Sequence, residues 1–360
     1  MKNLKLIGFL VIVASSLLFI QCTSDTIAGP QGVAGIDGVN GADGVDGVDG
    51  IDGVNGTATC VACHTNSHRE PIKASFALSS HADQTIMYDG SLLSDYAGAG
   101  SNRTSCNRCH SNEGYVNYIT GKPAVALETP TGISCNTCHD QHSTFDFEND
   151  GYDYALRNLA PVTLDLTDAS YTIDYADASN NCVSCHQPRS KAPVDEDNDG
   201  LYLQANSRFY PHYGGQSTML EGIQGAIIAN GTTAYPGVGT AGHRTGASCT
   251  SCHMGDSSDG LTGLHTYKPS FSATICTTCH TTVPTEVTGL AANMATLHNK
   301  LFDLGLITEN GSTIKQTELI PFKTAQALWN YKTVEEDRSN GVHNPKYATA
   351  LIKNALEVLE

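Results

Sequence analysis

One tryptophan, five methionines and an aromatic share of 7% leave this 360-residue chain short of the residues that usually fill a large core. Charge is also scarce and one-sided. Only 20 Lys and Arg stand against 37 Asp and Glu, for a formal charge of −17. Such a chain cannot neutralise a phosphate backbone, which excludes nucleic acid as a partner. An acidic surface favours cationic partners, metal ions or mineral surfaces over anionic membranes. The apolar run Leu6 to Ile20 is too short for a typical membrane span and follows the basic stretch Met1-Lys2-Asn3-Leu4-Lys5. Residues 1–21 therefore read as a cleaved export signal.

What the chain has in abundance is one short pattern. Twelve of its thirteen cysteines fall in six copies of Cys-x-x-Cys-His: Cys60, Cys63 and His64; Cys106, Cys109 and His110; Cys135, Cys138 and His139; Cys182, Cys185 and His186; Cys249, Cys252 and His253; Cys276, Cys279 and His280. Two thiols at that spacing can form thioether bonds to the two vinyl groups of one haem, and the adjacent histidine reaches the iron from the same side. A zinc site does not place His directly after every second Cys, and disulfide knotting leaves six matched histidines without a purpose. The expectation is six covalent haem c groups, which would also supply the apolar bulk that the composition lacks.

The thirteenth cysteine, Cys22, closes Leu18-Phe19-Ile20-Gln21-Cys22, which resembles a bacterial lipobox, with Gln21 where a small residue is usual. A lipid-anchored N-terminus accounts for a lone thiol better than a plain secretory signal with a stray cysteine does. From Gly29 to Gly56 a glycine then falls at every third position, ten in all, with Pro30 the sole proline. That is the collagen period without its stiffening residues, so an acidic spacer is favoured over a trimerising stalk. The organisation expected is a signal over 1–21, anchor and Gly-x-y spacer over 22–58, a hexahaem domain over 59–290, and a helical segment over 291–360 that completes it.

Between the motifs the chain is rich in Gly, Ser, Thr, Asn and Asp with little sustained periodicity, which predicts short helices and irregular chain around a haem stack. The fold class expected is mainly α with extensive irregular loops and C-terminal helices. Met294, Leu297, Leu301 and Leu304 form one helical stripe, and Ala348, Leu351, Ile352, Ala355, Leu356 and Leu359 another, the latter behind a start signal at Asn344 and Pro345. Asp195, Asp197 and Asp199 with Gly200 open like a calcium loop, but the twelfth position is Asn206 rather than a bidentate Glu. Calcium and a solvated turn are both open for that loop. Asp146 to Gly151 is a weaker version of it.

The ligand on the far side of each iron decides between electron carrier and substrate site. Eight histidines lie outside the motifs: His68, His81, His142, His212, His243, His265, His298 and His343. Several of their settings resemble ligand segments of multihaem c-type cytochromes: Ser79-Ser80-His81-Ala82, Cys138-His139-Asp140-Gln141-His142, Pro211-His212-Tyr213-Gly214-Gly215-Gln216, Gly242-His243-Arg244 and Leu264-His265-Thr266. Asp337-Arg338-Ser339-Asn340-Gly341-Val342-His343-Asn344-Pro345-Lys346-Tyr347 is close to the C-terminal signature of the nitrite-reductase-related group.

The resemblance implies distal ligands at His81, His142, His212, His243, His265 and His343, and hence six bis-histidine haems. His68 stands as an alternative to His142, and His298 is expected to pack or cap. Met87, Met219 and Met294 are expected in packing roles. The family also includes ammonia-forming nitrite reductases, whose catalytic motif often ends in Lys; none does here. The function expected is electron transfer, not bond chemistry, by an outer-membrane, cell-surface or extracellular lipoprotein. Its partners would be redox proteins or extracellular acceptors, with membrane attachment through the lipid and a homo-oligomer or filament as a further form. The alternative is a reductase of nitrite, hydroxylamine or sulfur oxyanions with one open haem.

Overall fold

Among the described residues, the longest buried helix is one that the sequence does not advertise. A computed structural model describes residues 58–82, 93, 104–146, 149, 153–166, 171–255, 264–269, 274–284 and 286–360. The signal, Cys22, the Gly-x-y stretch and Met87 lie outside the described residues, as does the end of the Asp146–Gly151 loop. One compact unit covers Gly56–Glu360.

Helices dominate the regular structure and are short as far as residue 221: α1 (Ala58–His64), α2 (Asn66–Ala77), α3 (Asn112–Ile119), α4 (Ser179–Val183) and α5 (Gln216–Glu221). Three longer helices follow, α6 (Leu290–Asp303), α7 (Phe322–Asp337) and α8 (Pro345–Glu357). The strands are two residues each. β1 (Val162–Thr163) pairs antiparallel with β2 (Thr172–Ile173), and β3 (Leu201–Tyr202) with β4 (Ile320–Pro321), in register Val162 with Ile173 and Tyr202 with Ile320.

The main core lies among the last three helices, where Leu297, Leu301, Leu328, Trp329, Leu351 and Ile352 are buried. Each such side chain contributes about 1.5–3 kcal/mol through the water-exposed area it removes. Asn344 starts α8 by accepting from the Tyr347 amide (3.2 Å), with Pro345 in the first turn. In the α6 stripe Leu297 and Leu301 are buried, whereas Leu304 sits just beyond the helix end and is 55% exposed.

Helix α7 is buried on every side, polar positions included. Its side chains satisfy the backbone of an irregular stretch laid across it: Gln326 donates to the Ile227 carbonyl (2.9 Å) and Trp329 to Gln224 (2.7 Å). Asn330 both accepts from the Ala226 amide (2.7 Å) and donates to its carbonyl (2.9 Å). A buried loop without such partners would leave amides unpaired. Gly225 lets this stretch approach, because a Cβ there would collide with Leu351 and the Tyr347 hydroxyl. A second, smaller core of Val162, Leu164, Ile173 and Val183 seats the β1–β2 ribbon against α4, and so against the fourth cysteine motif.

Candidate haem-binding sites

Each Cys-x-x-Cys-His lies on a helical turn or beside one. Positions i, i+3 and i+4 share one face of a helix, so one turn presents two thiols and an imidazole together. The first motif ends α1, the fourth follows from α4, and the others lie on turns at Asn107–His110, Cys135–Cys138, Cys249–His253 and Thr274–Thr277. Serines open two of these turns: the Ser134 amide donates to Thr137 Oγ1 (3.0 Å) and the Ser248 amide to Ser251 Oγ (2.7 Å).

Opposite each motif histidine stands one of the six histidines outside the motifs that the resemblance singles out. Ring centres are separated by 6.1 Å for His64 and His142, 6.3 Å for His110 and His212, and 6.3 Å for His139 and His265. The other three separations are 6.0 Å for His186 and His81, 6.3 Å for His253 and His343, and 6.0 Å for His280 and His243. Imidazole binds a first-row metal at about 2.0–2.1 Å, and the ring centre lies about 1.1 Å behind the nitrogen, so two ligands across one metal have centres about 6.2–6.4 Å apart. Three spacings fall in that range and the other three, at 6.0–6.1 Å, lie just under it, so each pair is spaced for about one iron. All six pairs close within one chain, and His142 is the ring opposite His64. His298 instead places Nδ1 2.9 Å from the Tyr331 hydroxyl, on the α6–α7 packing surface.

The rings are aimed by their other nitrogen. Nδ1 of His139 lies 2.7 Å from the Tyr154 carbonyl oxygen, that of His253 2.7 Å from Tyr267 O, and that of His243 2.6 Å from Val342 O. His186 Nδ1 meets Gln216 Oε1 at 3.0 Å. Two rings meet carboxylates: His142 with Asp153 (2.7 Å) and His343 with Asp337 (2.6 Å). Because these partners only accept, Nδ1 carries the proton and Nε2 keeps the lone pair that a metal needs.

Burial, reinforced by the His186 and His253 rings, pushes His81 down to about 4. Burial and the Arg189 guanidinium bring His212 to about 4, and burial lowers His253 as well. These three are neutral at neutral pH, which is the ligating form. For His343 burial alone would lower the pKa, but Asp337 outweighs it and the net shift is upward.

Unusual backbone marks the same places. His212 (φ 84°), Tyr154 (φ 51°), Ala155 (φ 53°) and Tyr267 (φ 54°) sit in the left-handed region, at a cost of about 1–3 kcal/mol each. The turn at Asp153–Ala155 holds His139 and His142 at once, while Tyr267 gives its carbonyl to His253 and packs its ring 4.7 Å from His81 and 5.8 Å from His265.

One cavity of about 2920 Å³ runs through the molecule, lined by cysteines and histidines of five motifs and by His81, His212, His243, His265 and His343. A pocket for a single small ligand is about 300–1,000 Å³, and protein interiors are otherwise close packed, so this space suits several large planar groups. The fourth motif is central: Cys185 Sγ lies 3.9 Å from the Arg108 carbonyl oxygen in the second motif, and the Thr250 amide of the fifth motif donates to Ser179 Oγ in α4 (3.1 Å). The Thr137 hydroxyl donates to Asn112 (2.8 Å) and ties the third motif turn to the helix after the second.

The acidic loop at 195–199 is turned by its own backbone. The Asp195 carboxylate accepts from the Asp199 amide (3.2 Å) and the Gly200 amide (3.0 Å), and Asp199 accepts from Leu201 (2.8 Å). Asp195, Asp197 and Asp199 form no metal-binding group; among the described residues no cluster of three or more ligating side chains of the usual kind converges. Also among the described residues, no helix is long and apolar enough to cross a membrane.

Nothing in the sequence singles out Asp153 or the carbonyls of Tyr154, Tyr267 and Val342, and Gln216, which ends the stretch beginning at Pro211, carries no sign there that it faces His186. Asp337 does open the C-terminal stretch quoted above, but nothing in its spacing pairs it with His343. Backbone acceptors carry no residue signature at all.

No family model matches the chain. It is 26% identical over 252 residues to the C-type polyheme cytochrome OmcB of Geobacter sulfurreducens, covering 57% of this chain and 32% of that protein. The same organism's C-type polyheme cytochrome OmcC is 26% identical over 228 residues, covering 50% and 28%. The chain is a multihaem c-type cytochrome. This cytochrome spans about a third of the length of the curated relatives it matches. In fold it is similar to the crystal structure of the outer cell wall cytochrome OcwA, with a TM-score of 0.50 at 18% identity over 79% of this chain and 50% of that one.

Proposed function

We propose that the cytochrome transfers electrons through six covalently attached c-type haems, each bound by the two cysteines of a motif and clamped between two histidines. The observation that carries this reading is the set of six ring pairs at 6.0–6.3 Å, each joining a motif histidine to one outside the motifs. Haem iron, once bound, supplies one-electron oxidation and reduction. The chain's own groups fix rings through Nδ1, keep His81, His212 and His253 neutral, and line a cavity shared by five of the six motifs. Closely spaced motif turns, with the fourth touching the second at Arg108 and the fifth at Thr250, favour transfer from site to site.

The export signal, the lipobox-like Cys22 and the acidic spacer support a lipid-anchored location at the cell surface, and the likeness to an outer cell wall cytochrome is in keeping with it. Redox proteins on the envelope side and extracellular acceptors are the partners in this reading. A reductase would need an iron with an open face, and here every motif histidine has a ring opposite it. The test is haem content by pyridine haemochrome together with electron paramagnetic resonance and near-infrared magnetic circular dichroism of the oxidised protein. Six haems, all low-spin with two nitrogen ligands, are expected; fewer haems, or a high-spin iron that binds nitrite, would overturn the reading.

A further inference from the structure

The six sites are alike in their metal-facing groups and differ in what stands behind them. Among the Nδ1 partners described above, four are neutral: the carbonyls of Tyr154, Tyr267 and Val342 and the amide oxygen of Gln216. Two are carboxylates, Asp153 behind His142 and Asp337 behind His343. A carboxylate draws the Nδ1 proton, makes the imidazole a stronger donor, and adds negative charge near the iron. Both effects favour the ferric state over the ferrous one and so lower the potential.

The two carboxylates are not equally placed. Asp153 spreads its charge over four donors: His142, the Ser143 amide and hydroxyl, and the Ala155 amide. Asp337 has His343 and the Ser339 hydroxyl as its bonding partners, and its side chain is 1% exposed. Less of its charge is shared and none is screened by water, so it acts more strongly on its ring. It is also held rigidly, at the last residue of α7 and six positions before the histidine that immediately precedes the cap of α8.

We propose that Asp337 and Asp153 are potential-setting positioning residues, which lower the potential of the site of His253 and His343 and that of the site of His64 and His142, the former by more. This rests on the six-haem reading. The fifth motif adjoins the fourth, the Thr250 amide donating to Ser179 Oγ in α4 (3.1 Å), so the site of His253 and His343 lies along the route between neighbours and not at a dead end.

The test uses the full haem-loaded protein and a redox titration followed by electron paramagnetic resonance, with haem counted first. Wild-type protein with fewer than six low-spin haems would defeat the underlying reading and not this one. With six present, D337N, whose amide oxygen still accepts from Nδ1, is expected to stay low-spin and to raise the midpoint of one haem. D337E, which restores the charge, should return that midpoint toward the wild-type value. D153N should raise a different midpoint by less. Unchanged midpoints in both Asn variants, or an equal rise in D337E and D337N, would overturn the proposal.

Discussion

Replacing His343 by alanine should open one iron and only one. On the proposed ligation the fifth site loses its distal nitrogen, so one sixth of the low-spin signal of the oxidised protein is expected to convert to high spin or to a water-ligated form. The structure also sets the cost to stability. The substitution removes the charge-assisted hydrogen bond to Asp337 and leaves a buried carboxylate with Ser339 as its partner. Bonds of that kind are worth about 1.5–3 kcal/mol, well below the 5–15 kcal/mol that holds a domain together, so the protein should remain folded. At about 2–4 °C per kcal/mol the melting temperature should fall by about 3–12 °C. Electron paramagnetic resonance and magnetic circular dichroism count the irons by spin state, and calorimetry gives the melting point. A spectrum that keeps six low-spin irons would refute the pairing of His253 with His343; loss of two would show that the sites do not stand separately.

His298→Ala should leave all six spectra unchanged and cost about 0.5–1.5 kcal/mol, because its ring bonds Tyr331, which keeps Glu335 (3.0 Å) as a second partner. Asn330→Leu should cost about 2–6 kcal/mol in a guanidinium melt of the haem-loaded protein, since it strands the buried amide and carbonyl of Ala226 together. A loss under 1 kcal/mol would mean that the stretch across α7 is held by something else. Leu301→Ala, at a fully buried position of the main core, should cost about 2–5 kcal/mol with no change in haem spectra; a spectral change would show the helical core and the sites to be coupled.

Much of the C-terminal architecture could be read from residue order, and the reason is local. Helix α8 has its cap, its proline and its apolar stripe in consecutive positions, and Leu297 and Leu301 mark the buried face of α6. Helix α7 escapes such reading because it is enclosed on all sides: Gln326, Asn330 and Thr333 are buried along with Leu328, so no stripe separates inside from outside. At the sites, the motif histidines and those outside the motifs were visible as two sets. Which member of one meets which of the other was not, because most pairs join residues far apart in the chain and nothing local encodes the match. The Nδ1 acceptors were hidden for a different reason. A carbonyl at Tyr154, Tyr267 or Val342 depends on backbone shape, at the first two on a left-handed turn that no side chain announces.

The ring pairs also bear on how such a protein is made. They close segments of 37 residues between His243 and His280 up to 126 between His139 and His265, and on the proposed ligation each iron acts as a clip across its segment. Chains leave the ribosome, and cross a membrane by the usual export route, amino end first. His81 and His243 thus arrive ahead of the motif histidines they face, whereas His64, His110, His139 and His253 must each wait for a partner that emerges later. The last of these to appear is His343, seated between α7 and α8. The carboxyl-terminal helices therefore work as the clasp of the assembly: until they fold, the fifth iron lacks its second nitrogen, and a chain cut short before them would leave export with that site open.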